Sequence, residues 1–242
     1  MPPEAAFVPP AASGRTGIGI SADWQGPLLR LAVAWIALLA VFAADWLAMA
    51  DQWWNISTYN HALLVPLILG WLVWQRAPEL ARIAPGTWWP GLAAFALAAL
   101  LWVLGAFAEL NLVRQTGALA MLVGAVLVLL GPRVSAALAF PIGYSIFLVP
   151  FGEELVPPLQ MITAAITIAL VRASDIPARI DGVFIDTPAG LFEVAEACSG
   201  VKFLIAMIAF GVLVANVCFV GWRRRAAFLA LCVVVPILAT GI

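Results

Sequence analysis

The chain is a succession of long apolar runs separated by short polar segments. The runs are Leu28–Ala50, His61–Gln75, Trp88–Ala108, Thr116–Gly131, Val134–Phe151, Leu155–Val171, Val201–Gly221 and Ala226–Ile242. At a rise of about 1.5 Å per residue, helices of this kind are long enough for a hydrocarbon core of about 30 Å. The second run is short and borrows length from its flanks. The pattern predicts an all-α membrane protein, a polytopic helical bundle of about seven to eight apolar helices over residues 28–242. Residues 1–27 are rich in Pro, Ala, Gly and Ser and lack a cleavable signal pattern, so they read as a disordered cytoplasmic tail.

The sixth run differs from the others. It carries Pro157-Pro158, with Gln160, Thr163 and Thr167 on one helical face and Leu159, Ile162, Ile166 and Leu170 on another. Such amphipathicity suits an interfacial or groove-lining helix. Cationic residues give an independent reason. Arg15 and Arg30, Arg76 and Arg82, Arg133, and Arg223-Arg224-Arg225 all fall on the cytoplasmic side only if Leu155–Val171 does not cross. The expectation is therefore a non-spanning sixth helix. His61, the Glu153-Glu154 loop and the start of the seventh run then share the periplasmic face. An ordinary sixth span with a weak charge rule is the alternative.

Between the sixth and seventh runs, Arg179–Asp186 reads as a short strand or pair of strands around Gly182. Thr187–Gly190 is a turn and Leu191–Ala195 a further strand. A small periplasmic hairpin before the seventh helix would offer an edge to an extended peptide; a plain connecting loop is the other reading. Tryptophans at predicted interfaces, among them Trp53, Trp54, Trp88 and Trp89, read as aromatic-belt anchors.

Composition removes whole classes of function. With 64% hydrophobic and 10% charged residues and a mean hydropathy of +1.06, a soluble domain is excluded. No basic patch is long enough to bind nucleic acid. The single histidine and three unpaired-looking cysteines give no zinc spacing, and nothing calls for a metal or another cofactor. Cys218 and Cys232 lie in apolar runs and read as packing residues.

Cys198 stands apart. It follows an acidic lead-in, Glu193 and Glu196, and precedes Ser199, Gly200 and Lys202 at the mouth of the seventh helix. A cysteine there meets free N–H groups, the positive end of the helix dipole and a nearby ammonium, all of which favour thiolate. The plain alternative is a small packing residue at an interface. Arg179 and Lys202 are the candidate cations near it, and Glu196 and Glu193 would pair with them or with a basic substrate segment. His61 is the one available imidazole, as a site-lining group or a structural interface residue.

The segment Gly190–Lys202, read GLFEVAEACSGVK, resembles the signature of the exosortases, membrane-embedded cysteine transpeptidases of Gram-negative bacteria. Tyr59–Pro66 followed by Trp71–Arg76 resembles that family's early Y-x-H-G-x-L-V…W-x-R segment, with Ala62 in the glycine position. The likeness runs from about Asn55 to the C-terminus. It implies Cys198 as the nucleophile, with Lys202 where the family often has arginine. It further implies an arginine after an N-G-x pattern near the outer end of the last helix and a histidine beyond it. Here Thr240 holds the asparagine position and both partners fall past Ile242, so the chain reads as a fragment or a degenerate copy.

By the same resemblance the substrates are exported proteins with a C-terminal sorting tail: a Pro-Glu-Pro motif, a transmembrane helix and a basic cluster. A glycan or lipid would accept the acyl group, and the protein would reside, multi-pass and in contact with lipid, in the cell inner membrane with its active site facing the periplasm. The competing functions are a non-catalytic component of exopolysaccharide or protein sorting and a small-solute transporter. Runs almost free of charge and lacking paired inverted breaks oppose the transporter.

Overall fold

In the computed structural model, residues 22–174 and 200–241 are described, together with 179–181, 184–187, 190–193 and Ala195 between them. The described residues are all-α apart from one small sheet. Helix α1 (Ala22–Val41) is followed by α2 (Ala43–Asn55), a 3-10 turn (Asn60–Leu63), α3 (Val65–Leu80), α4 (Gly91–Phe107) and α5 (Asn111–Leu130). Then come α6 (Pro132–Ala137), α7 (Ala139–Tyr144), 3-10 turns at Ser145–Leu148 and Glu153–Leu155, α8 (Val156–Ala173), strands β1 (Arg179–Asp181), β2 (Phe184–Thr187) and β3 (Gly190–Glu193), α9 (Val201–Cys218) and α10 (Trp222–Gly241). Among the described residues, α1 from Asp23, α5, the Glu153–Val171 helix and α9 are long and apolar enough to cross a membrane, and Gly91–Phe107 and Ala139–Leu148 are shorter apolar helices.

Several boundaries differ from the hydropathy pattern. Helix α1 begins at Ala22, inside the stretch read as tail, and the first run breaks at Phe42. At that break the Phe42 ring meets Trp102 edge-on at 4.8 Å, and Trp102 also holds Asp45. The fifth run is not one helix. Pro141, in the first turn of α7, has no N–H to donate back toward α6, and Ser145 Oγ donates to the Ile142 carbonyl at 2.6 Å, so the segment proceeds as two short helices and a 3-10 turn.

Helices α4 and α5 form an antiparallel pair whose backbones approach closely at glycines. A Cβ on Gly117 would lie 2.6 Å from the Trp102 nitrogen, and one on Gly105 2.5 Å from that of Arg114. In lipid, where apolar burial gives helices little reason to associate, such small-residue contacts supply the dispersion that holds them. The seam also carries charge. Asp45, 3% exposed, is paired with the Arg114 guanidinium and accepts the Trp102 indole N–H at 2.8 Å.

The elements sort into two ends. At one, Leu31, Leu80, Leu130, Val134 and Leu138 form an apolar cluster with Trp24 and Ile83, and Arg30, Arg82 and Arg133 are sequence neighbours of cluster members. At the other, Leu159 at the start of α8 packs on Val201, Leu204 and Ile205 at the start of α9, and Ile237 from the last turns of α10 joins them. The α9–α10 turn, with Arg223–Arg225, is thereby directed toward the basic end. There Arg225 Nε donates to the Phe219 carbonyl at 2.7 Å and the Phe219 and Phe228 rings meet tilted, with centroids 5.3 Å apart.

The expected hairpin is a three-stranded antiparallel meander in the order β1-β2-β3. Ile180, Ile185 and Phe192 stand in one cross-strand row, and Arg179 is opposite Asp186.

Candidate active site

The site end is built first by the link between α2 and α3. Asn60 Nδ2 donates to the Trp53 carbonyl at 2.9 Å and so satisfies an orphan group at the end of α2. The Trp53 indole donates to the Leu148 carbonyl at 2.8 Å, which makes it a tie between α2 and the 3-10 turn after α7 as well as an interfacial aromatic. Trp54 and Trp89, by contrast, are 74% and 72% exposed, as belt residues are. His61 sits in the 3-10 turn with Nδ1 3.1 Å from the Thr58 carbonyl. A carbonyl only accepts, so Nδ1 carries the proton and Nε2 keeps its lone pair. Burial pushes the His61 pKa below its ordinary 6.5, against the smaller opposing effect of that hydrogen bond. The imidazole is therefore neutral at pH 7.

Helix α9 opens on Gly200, buried and left-handed at φ 68°. A side chain there would be strained, which explains a glycine between the Cys198 segment and the first helical residue. Among the described residues no side chain caps the first turn. Lys202, the second residue of α9, donates from Nζ to Ser57 Oγ at 3.3 Å. The two sequence blocks singled out above, around His61 and around Cys198, are thus joined by a direct bond between their flanks.

The third contributor is the turn after α7. Gly152, at φ 113°, lies against Val201 and Ile205, and a Cβ on it would collide with the Ile205 side chain. Its N–H donates to Glu154 Oε2 at 3.3 Å. Glu153 reaches Tyr59, which is 2% exposed. Burial first, then the charge and hydrogen bond of Glu153, then the charge of Glu154, raise the Tyr59 phenol from 10.0 to about 12. The link, the acidic turn and the start of α9 therefore form one structure.

Of the residues expected from sequence, His61, Gly200 and Lys202 are brought to this end. Arg179 is fixed by backbone register in β1. Cys198, Ser199 and Glu196 lie outside the described residues. Cys232 packs against Gly211 as expected, but Cys218, at the end of α9, is exposed. Among the described residues no group of three or more His, Cys, Asp or Glu could hold a metal ion. Sequence reasoning passed over Asp45 and Arg114, although Asp45 is the one acidic residue in the first apolar run. It also passed over Glu109, whose φ of 56° is the one positive value among described non-glycine residues.

A family model described as a transmembrane exosortase matches residues 53–242. The chain belongs to that family. The match takes in the His61 turn, the acidic turn, the meander, α9 and α10, and omits α1 and nearly all of α2. No curated protein and no solved structure matches the chain. As an exosortase it is a membrane protein of a transpeptidase family, in agreement with its apolar helices.

Proposed function

We propose that this exosortase is a cysteine peptidase and transpeptidase acting at the periplasmic face of a cell inner membrane. Its substrates would be exported proteins that end in a sorting tail with a Pro-Glu-Pro motif, a transmembrane helix and a basic cluster. The observation that carries this reading is the Lys202–Ser57 bond, which ties the helix following Cys198 to the turn holding His61.

In the proposed reaction the Cys198 thiolate attacks the peptide carbonyl near the motif. The C–N bond breaks, the amine leaves with a proton, and a thioester remains. An acceptor amine, hydroxyl or water then attacks the thioester carbonyl. The C–S bond breaks and the thiolate returns. The N–H groups of the first turn of α9 and the Lys202 ammonium favour the thiolate. The neutral His61, with Nε2 free to accept, lines the site.

The packing of α8 supports a common face for these groups. Helices α8 and α9 both begin at the site end. Were α8 to cross, the chain between Ala173 and Gly200 would have to return through the bilayer. From Glu193 to Gly200 it can reach at most about 25 Å, at about 3.3–3.6 Å per residue, and non-helical backbone is not tolerated in lipid. Although α8 has the length and apolarity of a span, it is read here as lying along the site-end interface. The basic end, with its arginines, is then cytoplasmic.

The test is Cys198→Ala in cells that express a tailed substrate, with the tail followed by mass and gel mobility. Processing should be lost; intact processing would remove Cys198 from the chemistry.

A further inference from the structure

Beside the contacts just described, a cleft of about 500 Å³ runs between the α4–α5 turn and the acidic turn before α8. Gln52, Tyr59, Glu109, Asn111, Gln115, Glu153 and Glu154 supply its polar lining, and among the described residues no lysine or arginine borders it. The nearby cations are engaged elsewhere, Arg114 with Asp45 and Lys202 with Ser57. Gln115 lines the cleft while only 2% exposed. Its carboxamide has no hydrogen-bond partner among the described residues, and neither does the Glu109 carboxylate. Gln115 is buried except where it meets the cleft, so an occupant of the cleft is what its carboxamide can bond, and carboxylates gathered in a cleft make a field that a cation relieves. The described acidic groups do not converge as metal ligands do.

We propose that this cleft binds a primary ammonium group, and that it is the subsite for an amine acceptor. An ammonium brings one positive charge and three donors, which suits a cleft lined by the Glu109, Glu153 and Glu154 carboxylates and the Gln115 carboxamide. A neutral hydroxyl compound brings no charge to the same place. The acceptor role rests on the reading of Cys198 as acyl carrier. In that role the bound R–NH3+ loses one proton to water, and its nitrogen attacks the thioester carbon. The C–S bond breaks with its electron pair left on Cys198, and the adduct loses a second proton to give an amide.

Binding can be read without turnover. The full chain in detergent micelles is equilibrated with radiolabelled cadaverine, and with labelled pentanol as the neutral counterpart. Saturable cadaverine binding is expected, weakened about tenfold by Glu109→Gln and several-fold by Gln115→Leu. Raising salt from about 0.05 to 0.5 M should weaken it in the unaltered protein, a check that needs no folded variant. Competition by free ethanolamine marks a soluble amine as the occupant, and competition by micelles carrying phosphatidylethanolamine alone marks a lipid headgroup. Equal retention of pentanol, or binding indifferent to both salt and Glu109→Gln, overturns the proposal. If that happens while processing still depends on Cys198, only the amine subsite falls. If cadaverine binds selectively but Cys198→Ala processes substrate, the cleft stands as an amine site and the acceptor role falls with the transpeptidase reading.

Discussion

Two helical hairpins, α4–α5 and α9–α10, are built alike and used in opposite senses. Each is an antiparallel pair with glycine at a close approach, Gly105 and Gly117 in one and Gly211 in the other. The first presents its closed turn to the site end, where Glu109 is fixed in the left-handed region. The second presents its open ends there, with Val201 and Ile237 side by side, and turns its closed, arginine-bearing end away. A closed turn can hold a charged group in one place but admits no other chain between its helices. An open end leaves the start of α9 free to receive the Cys198 segment. The difference teaches that the orientation of a hairpin, more than its packing, decides which part of it is available for chemistry.

The largest asymmetry between them is the ion pair in the first. Asp45→Ala would leave the Arg114 guanidinium without its partner in a largely buried site. Breaking a buried pair in this way costs about 3–5 kcal/mol. Unfolding in detergent should show a loss of that order, and Asp45→Leu combined with Arg114→Leu should recover part of it. An Asp45→Ala protein as stable as the parent would mean that the glycine seam alone holds α4 and α5 together.

The glycines themselves separate the hairpins more finely. Gly117→Ala would press a methyl group against the Trp102 backbone, which cannot rotate away, and overpacking of this kind costs about 1–3 kcal/mol. At Gly211 the nearest atom is Cys232 Sγ, at 2.8 Å from the added carbon. A side chain can yield where a backbone cannot, so Gly211→Ala should cost less, and Cys232→Ala should relieve it. Thermal unfolding of the three variants checks the order; equal losses at both glycines would erase the distinction.

Much of this could be read from the chain. Run boundaries located the helices, the Gly182 and Thr187–Gly190 signals located the meander, and the arginines placed His61 and the start of α9 at one end. The broken fifth run was signalled by Pro141, whose missing N–H matters more than the apolarity around it. The Asp45–Arg114–Trp102 seam was legible only as an isolated aspartate, because pairing across helices depends on rotation and register that no single helix encodes. The acidic cleft was hidden for the same reason. Glu109, Gln115 and Glu153 belong to separate segments, and each alone looks like an ordinary polar flank.

The smallest effect concerns His61, in the α2–α3 link that Ser57 ties to the open hairpin. Burial holds the His61 pKa below 6.5 in the folded protein, while the unfolded chain titrates near the ordinary value. As pH falls through 6.5, the unfolded state takes up a proton that the folded state refuses, so stability declines on the acid side and is flat above about pH 7.5. The slope from one such group stays below about 1.4 kcal/mol per pH unit. The acid side of the ordinary imidazole pKa is therefore the window in which His61 is tested. His61→Asn should flatten the stability curve in that window and leave it unchanged at pH 8. If the decline persists in His61→Asn, the acid sensitivity of this end does not come from the imidazole of the α2–α3 link.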